Sequence, residues 1–252
     1  MTKAIIVAAG MGRRLAPYTD DRPKTLVEIN GRSILARQVD AYRAAGVAEI
    51  HIVRGYMKEK LAAAVPDARF HDNDEFRSNN ILSSLFYAEP AMAGGFLFSY
   101  SDIVFRPEVV RTVMETEGDY ALVIDRRWHE AYVGRVNHPV EEGEVARVEH
   151  GRVTLVGKKT MPPVASSGEF IGLARFSAAA VEKMRARFHE RKEQLAGQPY
   201  GRAPKFEVAY LTDLLNDLIE SGEVMRPAFI DGGWREIDTV EDLERAKGVV
   251  SW

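Results

Sequence analysis

Apolar runs of five or six residues alternate with amphipathic stretches through the first half of the chain. Ala4–Ala8 is apolar throughout, which predicts a strand buried on both faces. From Ser33 or Gly31 onward, Ile34, Leu35, Val39 and Tyr42 recur at helical spacing, and Gly46 ends the pattern. Glu49–Val53 alternates as a strand, Lys58–Ala64 predicts a short helix and Ala68–His71 a short strand. Asn80–Ala88 predicts a helix with Leu82, Leu85 and Phe86 facing inward. Phe96–Tyr100 and Tyr120–Asp125 read as strands on either side of a helix over Val109–Thr116. This alternation predicts an α/β fold: a mostly parallel central sheet with helices on both faces.

The texture changes after Asp125. Val145–Glu149 and Arg152–Val156 flank His150-Gly151 and predict a hairpin. A strand over Phe170–Ala174 follows, then helices over Ala178–Gln194 and Phe206–Ile219, separated by a loop over Ala196–Pro204. Val224–Phe229 predicts a last strand, and G-G-W-R-E-I-D-T-V-E-D-L leads into a last helix. No linker-like stretch divides the chain, so residues 1–252 read as a single domain with two halves meeting near residue 125.

Composition removes several classes of function. The chain has 252 residues and a net charge of −3, with no basic excess of the kind nucleic acid demands. It has no cysteine, hence no disulfide framework and no thiolate chemistry. No apolar run approaches the roughly 20 residues of a membrane span. Met1-Thr2-Lys3 runs straight into the first strand, so no signal peptide is expected and a cytoplasmic location follows.

The chemistry concentrates at the end of the first strand, in A-A-G-M-G-R-R-L-A-P-Y-T-D-D-R-P-K-T-L from Ala8 to Leu26. Gly10 and Gly12 allow backbone N–H groups to curl around an anion. Arg13 and Arg14 can clamp phosphate oxygens, and Lys24 adds a point charge behind Pro23. Leu15 stands where a dinucleotide fold needs its third glycine, and no G-x-x-x-x-G-K-[ST] occurs. The spacing A-A-G-x-G-x-R-L-x-P-x-T-x-x-x-P-K-x-L resembles the signature of the nucleoside-triphosphate transferases. That resemblance implies a Rossmann-like, glycosyltransferase-A-type fold. Its first half, to about residue 125, binds nucleotide; its second half, from about residue 126, binds the acceptor.

The family pattern also assigns roles. It implies that Ala8, Ala9, Gly10, Gly12 and Arg13 line the nucleotide, that Arg14 holds the β and γ phosphates, and that Lys24 lies between acceptor anion and α-phosphate. Which of Arg13 and Arg14 is the main clamp stays open. Asp102, after a buried strand, matches the family's metal-ligand aspartate. Asp238 in E-I-D-T-V-E-D matches a second, and together they imply Mg²⁺ as cofactor. The spacing alone allows either Thr239 with Asp242 or Asp238 with Glu241 to cap the last helix.

Two further segments resemble the cytidylyltransferases of phosphocholine and of phosphonates. In N-N-I-L-S-S-L, Asn79, Asn80 and Ser83 would lie near the nucleoside, which favours CTP, although Asn79 or Asn80 also suits a helix cap. In D-R-R-W-H-E-A-Y-V-G-R-V-N-H-P, Arg135 would contact the acceptor anion, with Trp128 and Tyr132 as a wall and Lys158 adding charge. The clustered Arg126, Arg127 and Arg135 point to a small phosphonate over phosphocholine. The implied partners are CTP and a small phosphonate or phosphomonoester, with no nucleic acid and no membrane; a homodimer is compatible. A sugar-1-phosphate nucleotidylyltransferase and a nucleotide-sensing regulatory subunit are the rival readings.

Overall fold

The hairpin at His150-Gly151 and the helix breaks at Gly46 and Ser221-Gly222 set the chain path around one large sheet. A computed structural model describes residues 2–252. Its strands are β1 (Lys3–Ala8), β2 (Glu28–Ile29), β3 (Arg32–Ser33), β4 (Glu49–Arg54), β5 (Arg69–Asp72), β6 (Gly95–Tyr100), β7 (Ile103–Phe105), β8 (Tyr120–Asp125), β9 (Glu144–Glu149), β10 (Arg152–Lys158), β11 (Gly168–Ser177), β12 (Met225–Ile230) and β13 (Trp234–Glu236). The helices are α1 (Ile34–Ala44), α2 (Lys58–Ala64), α3 (Ile81–Phe86), α4 (Glu89–Met92), α5 (Pro107–Glu115), α6 (His129–Tyr132), α7 (Ala178–Gln194), α8 (Leu211–Glu220) and α9 (Val240–Val249). No helix among the described residues is long and apolar enough to cross a membrane.

Nine strands form one sheet in the order β5-β4-β1-β6-β11-β8-β12-β10-β9. Both halves of the sequence contribute to it, because β11 inserts between β6 and β8. β5, β4, β1 and β6 are mutually parallel, as are β8 and β12. β11 runs against β6 and β8, and β10 against β9 and β12. The sheet is therefore mixed. The strand–helix–strand rhythm that predicts parallel pairing stops at Asp125, and the tight turn at His150-Gly151 forces β10 back along β9.

β1 shows how alternation builds two cores from one strand. Ile5 and Val7 face Leu82 and Leu85 of α3 and, further along that side, Met184 and Phe188 of α7. Ala4, Ile6 and Ala8 face the other way, into a core with Leu35, Val39 and Tyr42 of α1 and Val109 and Val113 of α5. Ile5 and Ile6 are fully buried, each stabilising the fold by about 1.5–3 kcal/mol. Ser33 caps α1 through its side chain, which accepts from the Ala36 N–H at 3.2 Å.

The segment 206–219 departs from the continuous helix expected there. Phe206–Val208 is a separate 3-10 turn, and α8 starts anew at Leu211. Asp213 causes the break: its carboxylate accepts from the Tyr210 N–H at 2.8 Å and closes a cap. α3 likewise ends at Phe86, and α4 begins three residues on, at Glu89, with Pro90 in its first turn.

Candidate active site

A cleft of about 480 Å³ opens at the carboxyl ends of β1 and β6, where ligands enter open α/β sheets. The loop after β1 forms one lip. Gly12 sits there at φ +61, and a Cβ on it would lie 2.5 Å from the Lys24 Cβ. Only glycine lets the lysine pass so close in that conformation. Thr19 donates to the Gly12 carbonyl at 3.1 Å and fixes the loop.

Asp102 and Asp238 are far apart in sequence, and one short ladder brings them together. β13 pairs antiparallel with β7, with Glu236 opposite Ile103, and the Ile237 N–H donates to the Asp102 carbonyl at 2.7 Å. Lys24 is buried between the two aspartates. Its Nζ donates to Asp102 Oδ2 at 3.0 Å and to Asp238 Oδ1. Arg14 donates to Asp238 Oδ2, and His138 Nδ1 lies 3.3 Å from the same oxygen. Burial alone would raise the Asp238 pKa; the Lys24 charge, the His138 contact and Arg14 hold it well below the carboxylate range instead. Burial would lower the Lys24 pKa, but Asp102 and Asp238 together push it up.

The cap of α9 is settled by geometry. Thr239 Oγ1 accepts from the Asp242 N–H at 3.2 Å, and Asp242 Oδ2 accepts from the Thr239 N–H at 2.8 Å. Asp238 is therefore not the cap, and its carboxylate is free to face the cleft. A hard cation suits this place. Asp102 Oδ1 is buried without a hydrogen-bond partner, and one oxygen from each aspartate already converges on one ammonium. His138, Glu236 and Asp238 also present ligand atoms within 4.8 Å of one another.

The nucleotide-side residues are mostly brought together. Ala9, Gly10, Gly12, Arg13, Arg14, Asn79 and Asn80 line the cleft; Ala8 ends β1 behind them. Ser83 does not line it. That hydroxyl donates to the Glu207 carbonyl at 3.2 Å, and the next residue, Ser84, faces the cleft instead. On a helix one residue is a turn of about 100°, so adjacent serines face different surroundings. Asn80 stands at the first position before α3 but makes no capping bond; its amide donates to the Val208 carbonyl at 3.1 Å. The fully buried Asn73, absent from the sequence reading, holds this wall by exchanging hydrogen bonds with Asn79 and donating to Ser84.

The acceptor-side expectations need correction. Arg126 pairs with Asp231, and Arg127 with Glu130, both at the surface. Trp128 and Tyr132 are buried in a small cluster with Val145 and Met161, behind the cleft wall. Arg135 does not line the cleft: its side chain is 5% exposed, donating to Asp242 at 2.6 Å and Glu236 at 2.9 Å. These acids absorb its charge before any ligand arrives. Lys158 does line the cleft, opposite Glu144 in the β9–β10 ladder.

Acidic residues dominate that side. Glu144 and Glu169 line the cleft and are buried. Burial pushes Glu144 up to about 7, against the Lys158 charge, and Glu169 up to about 8, reinforced by Glu236. Tyr100 donates to Glu144 at 2.9 Å and Tyr132 to Glu169 at 2.6 Å. The signal for Glu169 lies in the sequence, as one charge heading the apolar run F-I-G-L, but a charge in a strand does not show which cavity it faces.

The profile of the MobA-like NTP transferase domain matches residues 4–196. A CTP:phosphoglutamine cytidylyltransferase from Campylobacter jejuni is 30% identical over 96% of this chain and 97% of its own. A 2-aminoethylphosphonate cytidylyltransferase from Lancefieldella rimae is 36% identical over 42% of this chain and 45% of its own. Among solved structures, the CTP:phosphocholine cytidylyltransferase of Streptococcus pneumoniae superimposes with a TM-score of 0.74 over 99% of both chains, at 20% identity. The inositol-1-phosphate CTP transferase of T. maritima superimposes with a TM-score of 0.75 over 100% of this chain and 98% of its own, also at 20% identity. At that identity the structures speak for the fold.

Proposed function

The chain belongs to the MobA-like NTP transferase family and is a nucleotidyltransferase, and on that premise we propose that it moves CMP from CTP onto the phosphoryl or phosphonyl oxygen of a small acceptor. Lys24 held by Asp102 and Asp238 beneath the glycine loop is the observation that carries this reading. The acceptor oxygen forms a bond to the α-phosphorus while the α–β anhydride breaks, and pyrophosphate leaves. An anionic acceptor needs no general base.

The protein's work is positioning and charge neutralisation. Gly10 and Gly12 offer backbone N–H groups to the triphosphate. Arg14, whose side chain is half exposed, reaches from Asp238 toward the cleft mouth, and Arg13 stands beside it. Lys24 offsets the repulsion between acceptor anion and α-phosphate. Asp102 and Asp238 would hold Mg²⁺, which neutralises phosphate charge when bound. Asn79 and Asn80 line the cleft, and the resemblance of their segment to the cytidylyltransferases favours cytosine as the base.

Arg126, Arg127 and Arg135 no longer argue for a phosphonate in particular, since each is paired with an acid and none of the three lines the cleft. A phosphonate stays within the proposed acceptor class because its terminal oxygens carry nearly the charge of a phosphomonoester. A regulatory role is disfavoured by the intact Lys24, Asp102 and Asp238. Incubation with each nucleoside triphosphate and a panel of phosphonates, phosphomonoesters and hexose 1-phosphates tests the proposal through pyrophosphate release. CTP should lead by at least about tenfold, or roughly 1.4 kcal/mol in transition-state binding. Equal turnover of UTP with a hexose 1-phosphate would refute it.

A further inference from the structure

Two loops meet at the outer rim of the cleft, and each brings an arginine without a counter-ion. Arg13, in the glycine loop after β1, donates to the Met11 sulfur at 3.8 Å. Arg77, in the loop between β5 and α3, donates to the same sulfur at 3.7 Å. Among the described residues, no carboxylate lies within 4.0 Å of either guanidinium. The acids next to Arg77 in sequence are engaged elsewhere: Asp74 pairs with Lys58 at 2.7 Å, and Glu75 accepts from the Tyr87 hydroxyl at 2.8 Å. Arg14 differs, since Asp238 already shares its charge. A thioether is a weak acceptor and carries no charge, so two cations gather around one neutral atom.

Local bonds fix where Arg77 stands. The fully buried Asn73 accepts from the Glu75 N–H at 3.0 Å. The Ser78 N–H and hydroxyl both donate to the Glu75 carbonyl at 2.9 Å and close a turn over 75–78. Phe76 anchors that turn. It lines the cleft and packs so closely on Gly55 that a Cβ there would lie 2.8 Å from the Phe76 Cβ. The Arg77 guanidinium lies over the Phe76 ring, 5.1 Å from its centroid, which lays the side chain along the rim.

We propose that Arg77, together with Arg13 across the rim, grips the terminal phosphate of the nucleoside triphosphate. The inference rests on the reading of the cleft as a nucleotidyl-transfer site. Lys24 is the inner cation, held between Asp102 and Asp238 for the α-phosphate. The outer end of a triphosphate then needs cations of its own. A phosphate group accepts from both guanidinium forks in place of the sulfur and brings the charge that the sulfur lacks. Met11 is the spacer that keeps the two forks near each other. The terminal phosphate departs within pyrophosphate with its own bonds unchanged. The contact is therefore alike in ground state and transition state, and it acts on binding rather than on the chemical step. Arg77 thus does different work from Lys24, and it comes from the opposite lip of the cleft to the glycine loop.

Calorimetry with CTP and CDP on the intact protein in Mg²⁺ tests this, because the two differ only in the terminal phosphate. The unsubstituted protein should bind CTP the more tightly. Arg77→Ala should shrink the CTP-to-CDP affinity ratio by about tenfold and leave CDP affinity unchanged. Arg77→Lys, which keeps the charge but not the fork, should fall between the two. In turnover, Arg77→Ala should raise the KM for CTP by about tenfold and leave kcat within about threefold. An affinity ratio unchanged in Arg77→Ala overturns the inference. So does an equal loss for both nucleotides, which would make Arg77 a support of the wall at Asn79 and Asn80 instead. Failure of CTP to bind the unsubstituted protein sinks the reaction reading. Inorganic tripolyphosphate then decides on the clamp, which is overturned if Arg77→Ala binds it as tightly as the unsubstituted protein does.

Discussion

Glu169→Gln should change how stability depends on pH, and the size of the effect follows from burial. Glu169 has an ordinary value of 4.5 when unfolded and is pushed up to about 8 when folded, by desolvation first and then by Glu236. Tyr132, Arg135 and Asp125 also face it; Tyr132 and Arg135 oppose the rise and Asp125 adds to it. A folded value above the unfolded one means that the native state holds the proton more tightly. The stability so gained is complete below about pH 4.5 and is lost as pH rises through about 8. Each pH unit in that window costs about 1.36 kcal/mol, so the step from pH 6 to pH 8 removes about 2 kcal/mol. For a chain of this length that corresponds to about 4–8 °C in Tm. Glutamine cannot ionise and lacks this term. Thermal melts of both proteins from pH 5 to 9 isolate it, because Glu144, His51 and His71 titrate alike in the two. The Tm difference, variant minus unsubstituted, should climb by about 4–8 °C between pH 6 and 8. Parallel curves would show that Glu169 stays ionised in the folded protein and would refute the argument.

Lys24→Ala should lower kcat by about 10²–10³, since its charge is used as two anions converge; a raised KM for CTP with kcat intact would contradict that role. Asp102→Asn and Asp238→Asn should each abolish Mg²⁺-dependent pyrophosphate release while leaving the fold intact, because an amide replaces a hard anionic ligand poorly; a fully active variant that merely melts lower would show a structural role instead. Arg135→Ala leaves Asp242 and Glu236 without their cation and should cost about 3–5 kcal/mol in urea unfolding; a changed acceptor KM at unaltered stability would return Arg135 to the binding site. Thr239→Ala should cost about 1 kcal/mol through the lost cap and leave turnover largely in place, as checked by melts and the same release assay.

The features legible in the sequence are those whose causes lie within a few residues. The apolar alternation placed β1, β8, α2 and α7 at or within a residue of their observed bounds. Caps are nearly as local: the sequence narrowed each to two candidates, and the deciding bonds, Ser33 to Ala36 and Thr239 to Asp242, span three residues. The glycine loop and Lys24 also declare themselves, because the close approach at Gly12 leaves a spacing that chance patterns lack.

Partnership and facing direction were decided elsewhere. Nothing near Asp102 in the chain predicts its meeting with Asp238; the β7–β13 ladder makes it. The resemblance put Arg135 on an acceptor anion, yet α9 and β13 deliver Asp242 and Glu236 to it. Ser83 and Ser84 are chemically identical neighbours, and only the seating of α3 against the 206–208 turn selects which one faces the cleft. Glu144 and Glu169 are acids in strands until the folded protein removes water from them. A residue type and its spacing define a local bond, but charge and exposure are sums over everything nearby in space, and that sum exists only once the sheet has closed.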